Sequence, residues 1–109
     1  MLEPILGSTS RERVLVFVYA RGEGYAREIA RFFATDLVQI QKQLDRLEFG
    51  GILAGRSAGR TRLYTFNPRY PFLSELTALL DKTIQFYPKD QQEALLMARR
   101  RPRRRGKPL

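Results

Sequence analysis

The chain predicts a mainly α-helical domain carrying one small β-hairpin, and three observations support that expectation. Apolar residues recur at helical spacing in three separate stretches, and a turn of only two residues divides the first two. Gly50 and Gly51 stop the second stretch, and two short β-type runs joined by a glycine-containing turn follow it. With 109 residues, 43% of them hydrophobic, the chain is long enough for one modest core and too short for two.

The first element sets two local signals against each other. Val14 to Tyr19 is β-branched and aromatic throughout, the composition of a buried strand. Thr9 and Glu12 ahead of it form a capping-box pattern, in which hydroxyl and carboxylate satisfy free amides at a helix start. We read a helix from Ser10 to Ala20. Apolar on nearly all sides, it must be buried on more than one face, a need that a second subunit would meet.

Gly22 and Gly24 then break the chain. Tyr25 to Phe33 follows as a helix, with Ile29, Phe32 and Phe33 at helical spacing. Ala34 and Thr35 make a short turn, and Asp36 with Gln39 is a second capping-type pair that opens helix 36–49. Leu37, Ile40, Leu44 and Leu47 form its apolar stripe. Two helices so closely joined make a helix-turn-helix. The runs Ile52 to Arg56 and Thr61 to Phe66, linked by Ser57 to Arg60, read as a hairpin with a basic wing, 56–62. In the second run Leu63 and Thr65 alternate with Arg62, Tyr64 and Phe66. Asn67 and Pro68 end the run. Pro71 suits the first turn of a helix from Phe72 to Phe86, which Pro88 closes. Asp90 and Glu93 would cap one last short helix running out near Pro102. The organisation expected is a folded domain over 8–69, a C-terminal helical segment over 70–98, and a flexible basic tail over 99–109.

Charge is unevenly spread. The net charge is +9, yet seven cations and no acids lie between Arg99 and Lys107, leaving residues 1–98 with thirteen cations, eleven acids and a net of +2. No acid occurs between Glu48 and Glu75, whereas Arg56, Arg60, Arg62 and Arg69 do. The chain has no cysteine and no histidine, which removes disulfides, thiolate and imidazole metal sites, and Ser-His or Cys-His catalysis. Its carboxylates are scattered, with no nucleophile or phosphate loop beside them. No cofactor, metal or enzymatic activity is expected. The longest apolar run, Val14 to Ala20, is seven residues and too short for a bilayer, and the start lacks a signal-peptide pattern. A cytoplasmic protein is the expectation.

The exposed chemistry points toward nucleic acid. At about 100° per residue, Val38, Gln39, Lys42 and Arg46 lie opposite the apolar stripe, with Gln41 and Gln43 on its flanks. Glutamine can pair with adenine in a major groove, and Lys or Arg can reach guanine or phosphate. The same residues are also good helix formers on a solvated face. Arg56, Arg60 and Arg62 surround a glycine-containing tip with no acid offsetting them, so the wing can lie along the sugar-phosphate backbone or enter a minor groove. A charged hairpin edge that prevents sheet aggregation is the other reading. Arg27 and Arg31 on the preceding helix either contact phosphate or pair with Glu28 or Glu23. Tyr25, Phe32 and Phe33 read as core. Phe72, Leu73, Leu76, Leu79, Leu80 and Ile84 read as packing or a dimer interface. The tail suits DNA, RNA or an anionic membrane surface.

The order helix, helix-turn-helix, hairpin, helix resembles the winged helix-turn-helix regulators of the ArsR and MarR type. The resemblance rests on Tyr25 to Arg31, Ile40 to Leu53 and the arginine-rich hairpin. It is similar, too, to the small winged modules found beside or fused to nucleotidyltransferase domains. It implies a winged helix-turn-helix with the order α-β-α-α-β-β plus C-terminal helix or helices. The function implied is a repressor of transcription that binds double-stranded DNA as a homodimer. Two other functions stay open: a protein-interaction module partnering a nucleotidyltransferase-like protein, and RNA binding through the tail. Ala26 departs from the pattern as a weak cap where such modules place Thr or Ser. The absence of Cys and His means that metal-sensing sites do not carry over.

Overall fold

A computed structural model describes residues 1–96; the basic stretch from Arg99 to Lys107 and any helix running toward Pro102 lie outside the described residues. The elements in order are α1 (Glu3–Leu6), α2 (Thr9–Arg21), α3 (Ala26–Phe33), α4 (Leu37–Phe49), β1 (Leu53–Ala58), β2 (Thr61–Phe66) and α5 (Leu73–Ile84). A further helical run, α6, covers residues 89–96.

The conflict in the first apolar run resolves as a helix. Val14, Leu15, Val16, Phe17, Val18 and Ala20 of α2 are all buried. Full burial stabilises by about 1.5–3 kcal/mol for each large apolar side chain. The helix-propensity cost of a β-branched residue is at most about 0.7 kcal/mol, so burial wins. The faces are covered within the chain: α2 packs against α1, α3, α4, α5 and β2, and needs no second subunit to bury them.

The start of α2 differs from the expected capping box. Ser8 is the N-cap, its hydroxyl accepting from Arg11 N–H at 3.2 Å. Glu12 is thereby moved out of capping range and turned inward. It is 4% exposed and accepts the Leu2 N–H at 2.6 Å and the Tyr87 hydroxyl at 2.5 Å. The Met1 amino group lies 3.0 Å from the same carboxylate. This hub joins the start of the chain to α2 and to the segment after α5, and it seats the short α1, which the apolar pattern did not foretell. Gly22 ends α2 with φ 87°, a left-handed conformation that suits glycine.

The hairpin is antiparallel, with register from Leu53 opposite Phe66 to Ala58 opposite Thr61. β1 runs two residues beyond Arg56, which shortens the turn to Gly59 and Arg60. Gly59 has φ 65°, the positive value needed at the first position of a type II′ loop. The first strand expected in the α-β-α-α-β-β order is one residue wide. Gly24 N–H donates to Tyr64 C=O at 3.1 Å, and Tyr64 N–H donates back at 2.9 Å. A side chain at position 24 has no room there: a Cβ would sit 2.9 Å from Phe17 Cδ1.

α5 is shorter at both ends than its apolar pattern suggests. Phe72 is its N-cap without a side-chain bond, and Pro71 lies ahead of the helix. Beyond Ile84 the chain tightens through i→i+3 bonds from Gln85, Phe86 and Tyr87, ending before Pro88. The Pro88 carbonyl accepts from Gln91 and Gln92, so α6 begins ahead of Asp90 and is not capped by it. Arg21 closes the back of the domain, lying over the rings of Phe17 and Phe32 and bonding to the carbonyls of Ala94 and Leu95.

Candidate nucleic-acid interface

The site begins with the turn between α3 and α4. Ala34 takes φ 51°, an uncommon value for a residue with a Cβ, and Thr35 N–H donates to Ala30 C=O at 2.9 Å. This closure ends α3 and aims the chain into α4. Asp36 caps α4, its Oδ1 accepting the Val38 N–H at 3.1 Å, as the sequence pattern predicts. Ile40, Leu44 and Leu47 hold α4 on the core. Leu37 completes their spacing but is 37% exposed, because the first turn projects beyond the core.

The outward face carries Val38, Gln39, Lys42 and Arg46, all exposed. The two flanking glutamines have other roles. Gln43 is 4% exposed, and its Oε1 accepts Arg11 Nε–H at 2.9 Å, so it links α4 to α2 and is not part of the exposed face. Gln41 donates through Nε2 to Asp45 Oδ1 at 2.9 Å and to the Tyr64 hydroxyl at 3.2 Å, tying α4 to the hairpin. A helical wheel places both on the border, and only the neighbouring elements decide on which side each falls.

The wing requires a correction. Its arginines are not without acids: Arg62 NH2 donates to Glu48 Oε2 at 2.6 Å, and Arg56 NH2 to Glu23 Oε1 at 3.3 Å. The Glu48 carboxylate, by hydrogen bond and by charge, raises the Arg62 pKa above its ordinary value. Arg62 also lies across β1, 3.4 Å from Gly55 C=O, with its guanidinium 5.9 Å from the Tyr64 ring centre. Gly55 leaves room for this guanidinium: a Cβ there would meet Arg62 Nε at 2.8 Å, a contact that the flexible end of the arginine can relieve by shifting. Arg60, exposed at the tip, makes no ion pair among the described residues.

Arg27 and Arg31 are exposed on α3. The carboxylates that were their alternative partners are engaged elsewhere, Glu28 with Arg21 at 3.5 Å and Glu23 with Arg56. Burial raises the Glu28 pKa above its ordinary value, an effect that Arg21 opposes. Phe32 and Phe33 pack against the core, and Phe32 meets Phe17 edge-on with ring centres 5.6 Å apart. Among the described residues, no group of three or more acidic side chains is placed to hold a metal ion, and no helix is long and apolar enough to cross a membrane.

The arrangement therefore presents one helix face with Val38, Gln39, Lys42 and Arg46, two cations on the helix before it, and at the wing tip an arginine without an ion pair among the described residues. No family model matches the chain, and no curated protein matches it. Solved structures do. A point mutant of MarR from E. coli is 16% identical with a TM-score of 0.59, over 89% of this chain and 69% of that one. BpsR of Bordetella bronchiseptica is 17% identical with a TM-score of 0.58, over 94% and 81%. The adhesin competence repressor AdcR of Streptococcus pyogenes is 17% identical with a TM-score of 0.55, over 86% and 79%. What these likenesses establish is the architecture: the chain has the mainly α winged helix-turn-helix fold of these MarR-type structures.

Proposed function

We propose that this chain is a DNA-binding transcriptional regulator that acts as a repressor by occupying an operator. The observation that carries the reading is the exposed face of α4. Val38, Gln39, Lys42 and Arg46 share one side of a helix that a capped turn projects from the core. A major groove admits one such helix, and these side chains can hydrogen-bond or pack against base edges there. Arg60 at the wing tip, with Arg27 and Arg31 on α3, supplies phosphate contacts on either side. The neighbours add support: the BpsR structure concerns regulation of its DNA binding, and AdcR is described as a repressor.

The reading includes a homodimer. Residues 8–69 act as the DNA-binding unit, 70–98 contribute to the subunit interface, and 99–109 add general affinity for polyanions. Ile5, Phe72, Phe86 and Leu96 are exposed apolar side chains on or beside the terminal helices, which suits an interface there. Two copies would place two α4 helices in successive grooves of a palindromic site.

Selection of bound duplexes from a random pool, followed by titration of the enriched site and a scrambled control, tests the function. An enriched inverted repeat bound about 10³-fold or more tighter than the control is expected. Equal binding to both duplexes would refute sequence-specific regulation.

A further inference from the structure

The start of α4 is built against its own stability. Val38 is 67% exposed, and Leu37 beside it is 37% exposed, so neither gains what burial gives to Ile40 and Leu44. A β-branched residue is also a poor choice for an exposed helix position. Together with Gln41, Lys42 and Asp45 the pair lines a shallow cleft of about 420 Å³.

The charges around this cleft determine what it can accept. Asp45 is held in its wall by the bond from Gln41, which is itself held by the Tyr64 hydroxyl. A fixed carboxylate repels phosphate, so a sugar-phosphate backbone is a poor occupant. Lys42 on the cleft and Arg46, four residues further along α4, are exposed cations that draw a polyanion to this helix. The occupant must therefore be a neutral, partly apolar group carried by a polyanion, with an acceptor in reach of Lys42. In a major groove one group of a standard base fits: the C5-methyl of thymine, which lies beside the O4 acceptor.

We propose that Val38, supported by Leu37, reads a thymine methyl group, making a thymine in each half-site a determinant of specificity. The inference rests on the DNA-binding reading above and adds to it the identity of one base. Uracil is the matching probe, since it lacks only that methyl.

The experiment replaces each thymine of the selected duplex in turn by deoxyuridine and titrates full-length wild-type protein, Val38→Ala and Leu37→Ala. At one thymine per half-site, uracil should weaken wild-type binding about fourfold, the equivalent of one methyl group returned to water. Val38→Ala should bind the thymine and uracil duplexes equally, with its salt dependence unchanged. Because Val38 is exposed, that variant should keep its far-ultraviolet circular dichroism. Uracil with no effect at any position overturns the methyl contact while leaving DNA binding in place. So does a uracil penalty that persists in both variants. Failure to bind any duplex overturns the contact and the DNA-binding reading together.

Discussion

Glu48→Gln tests whether the carboxylates beside the wing mask its charge. Arg62 and Glu48 are 2.6 Å apart, so the pair approaches DNA as a nearly neutral unit. An arginine already balanced by a carboxylate displaces no counterion from DNA when it meets a phosphate. The amide keeps the shape of the glutamate and removes its charge, which frees one cation on the wing. Each added phosphate contact steepens the slope of log affinity against log salt by about 0.9. Relative to wild type, the affinity of the variant should therefore fall about 3.5-fold between about 50 and 200 mM salt. An exposed pair of this kind adds little to stability, so the variant should fold normally. Fluorescence anisotropy over a salt series, on the selected site and on a scrambled duplex, measures the slope. Arg60→Ala serves as the opposite control and should flatten the slope by about 0.9, because Arg60 makes no ion pair among the described residues and meets phosphate with its full charge. An unchanged or shallower slope in Glu48→Gln would refute the masking argument. Weaker binding at every salt concentration with the same slope would show that the pair sets the position of the wing.

The remaining outcomes concern the fold. Burial raises the Glu12 pKa, but the bonds from Tyr87 and Leu2 and the Met1 amino group outweigh it and bring the carboxyl below its ordinary 4.5. Its contribution to stability should be complete above pH 4.5 and lost as the pH falls through the lower folded value. Glu12→Gln should flatten the acid limb of a plot of urea midpoint against pH, and an unaltered limb would count against the hub. Burial and the same contact raise Tyr87 above its ordinary 10.0, so its contribution should be complete below pH 10.0 and fade as the pH climbs through the raised value. Gly24→Ala places a Cβ 2.9 Å from Phe17 Cδ1 and 3.2 Å from Ile29 Cδ1, both firmly packed, and should cost about 1–3 kcal/mol by urea denaturation. Gly55→Ala meets only the movable end of Arg62 and should leave the urea midpoint nearly unchanged.

Much of the architecture was legible in the sequence because its signals are local. Asp36 ahead of the stripe Ile40, Leu44, Leu47, and Gly50 after it, marks both ends of α4 to within a residue. Thr61 to Phe66 is a strand with the predicted bounds, and the order of the larger elements follows from periodicity and turn residues. The outward direction of Val38, Gln39, Lys42 and Arg46 follows from the pitch of the helix and the position of that stripe. Where strand-like composition competed with a helix-start pattern, over Val14 to Tyr19, the helix reading holds, but the capping pair Thr9 and Glu12 does not. The Ser8 cap and the inward turn of Glu12 depend on Leu2 and on Tyr87, which is 75 residues away.

Sequence by itself determined the helix-turn-helix, the hairpin and the exposed face of α4, since each depends on contacts within a few residues or on the geometry of one helix. Tertiary structure alone decided which of the polar candidates remain free. Gln43 is taken by Arg11, 32 residues away, Arg56 by Glu23, 33 residues away, and Arg62 by Glu48, 14 residues away. Whether a charged or amide side chain faces solvent or a partner depends on the ångström-scale distance between elements that packing brings together. Spacing along the chain does not encode that distance.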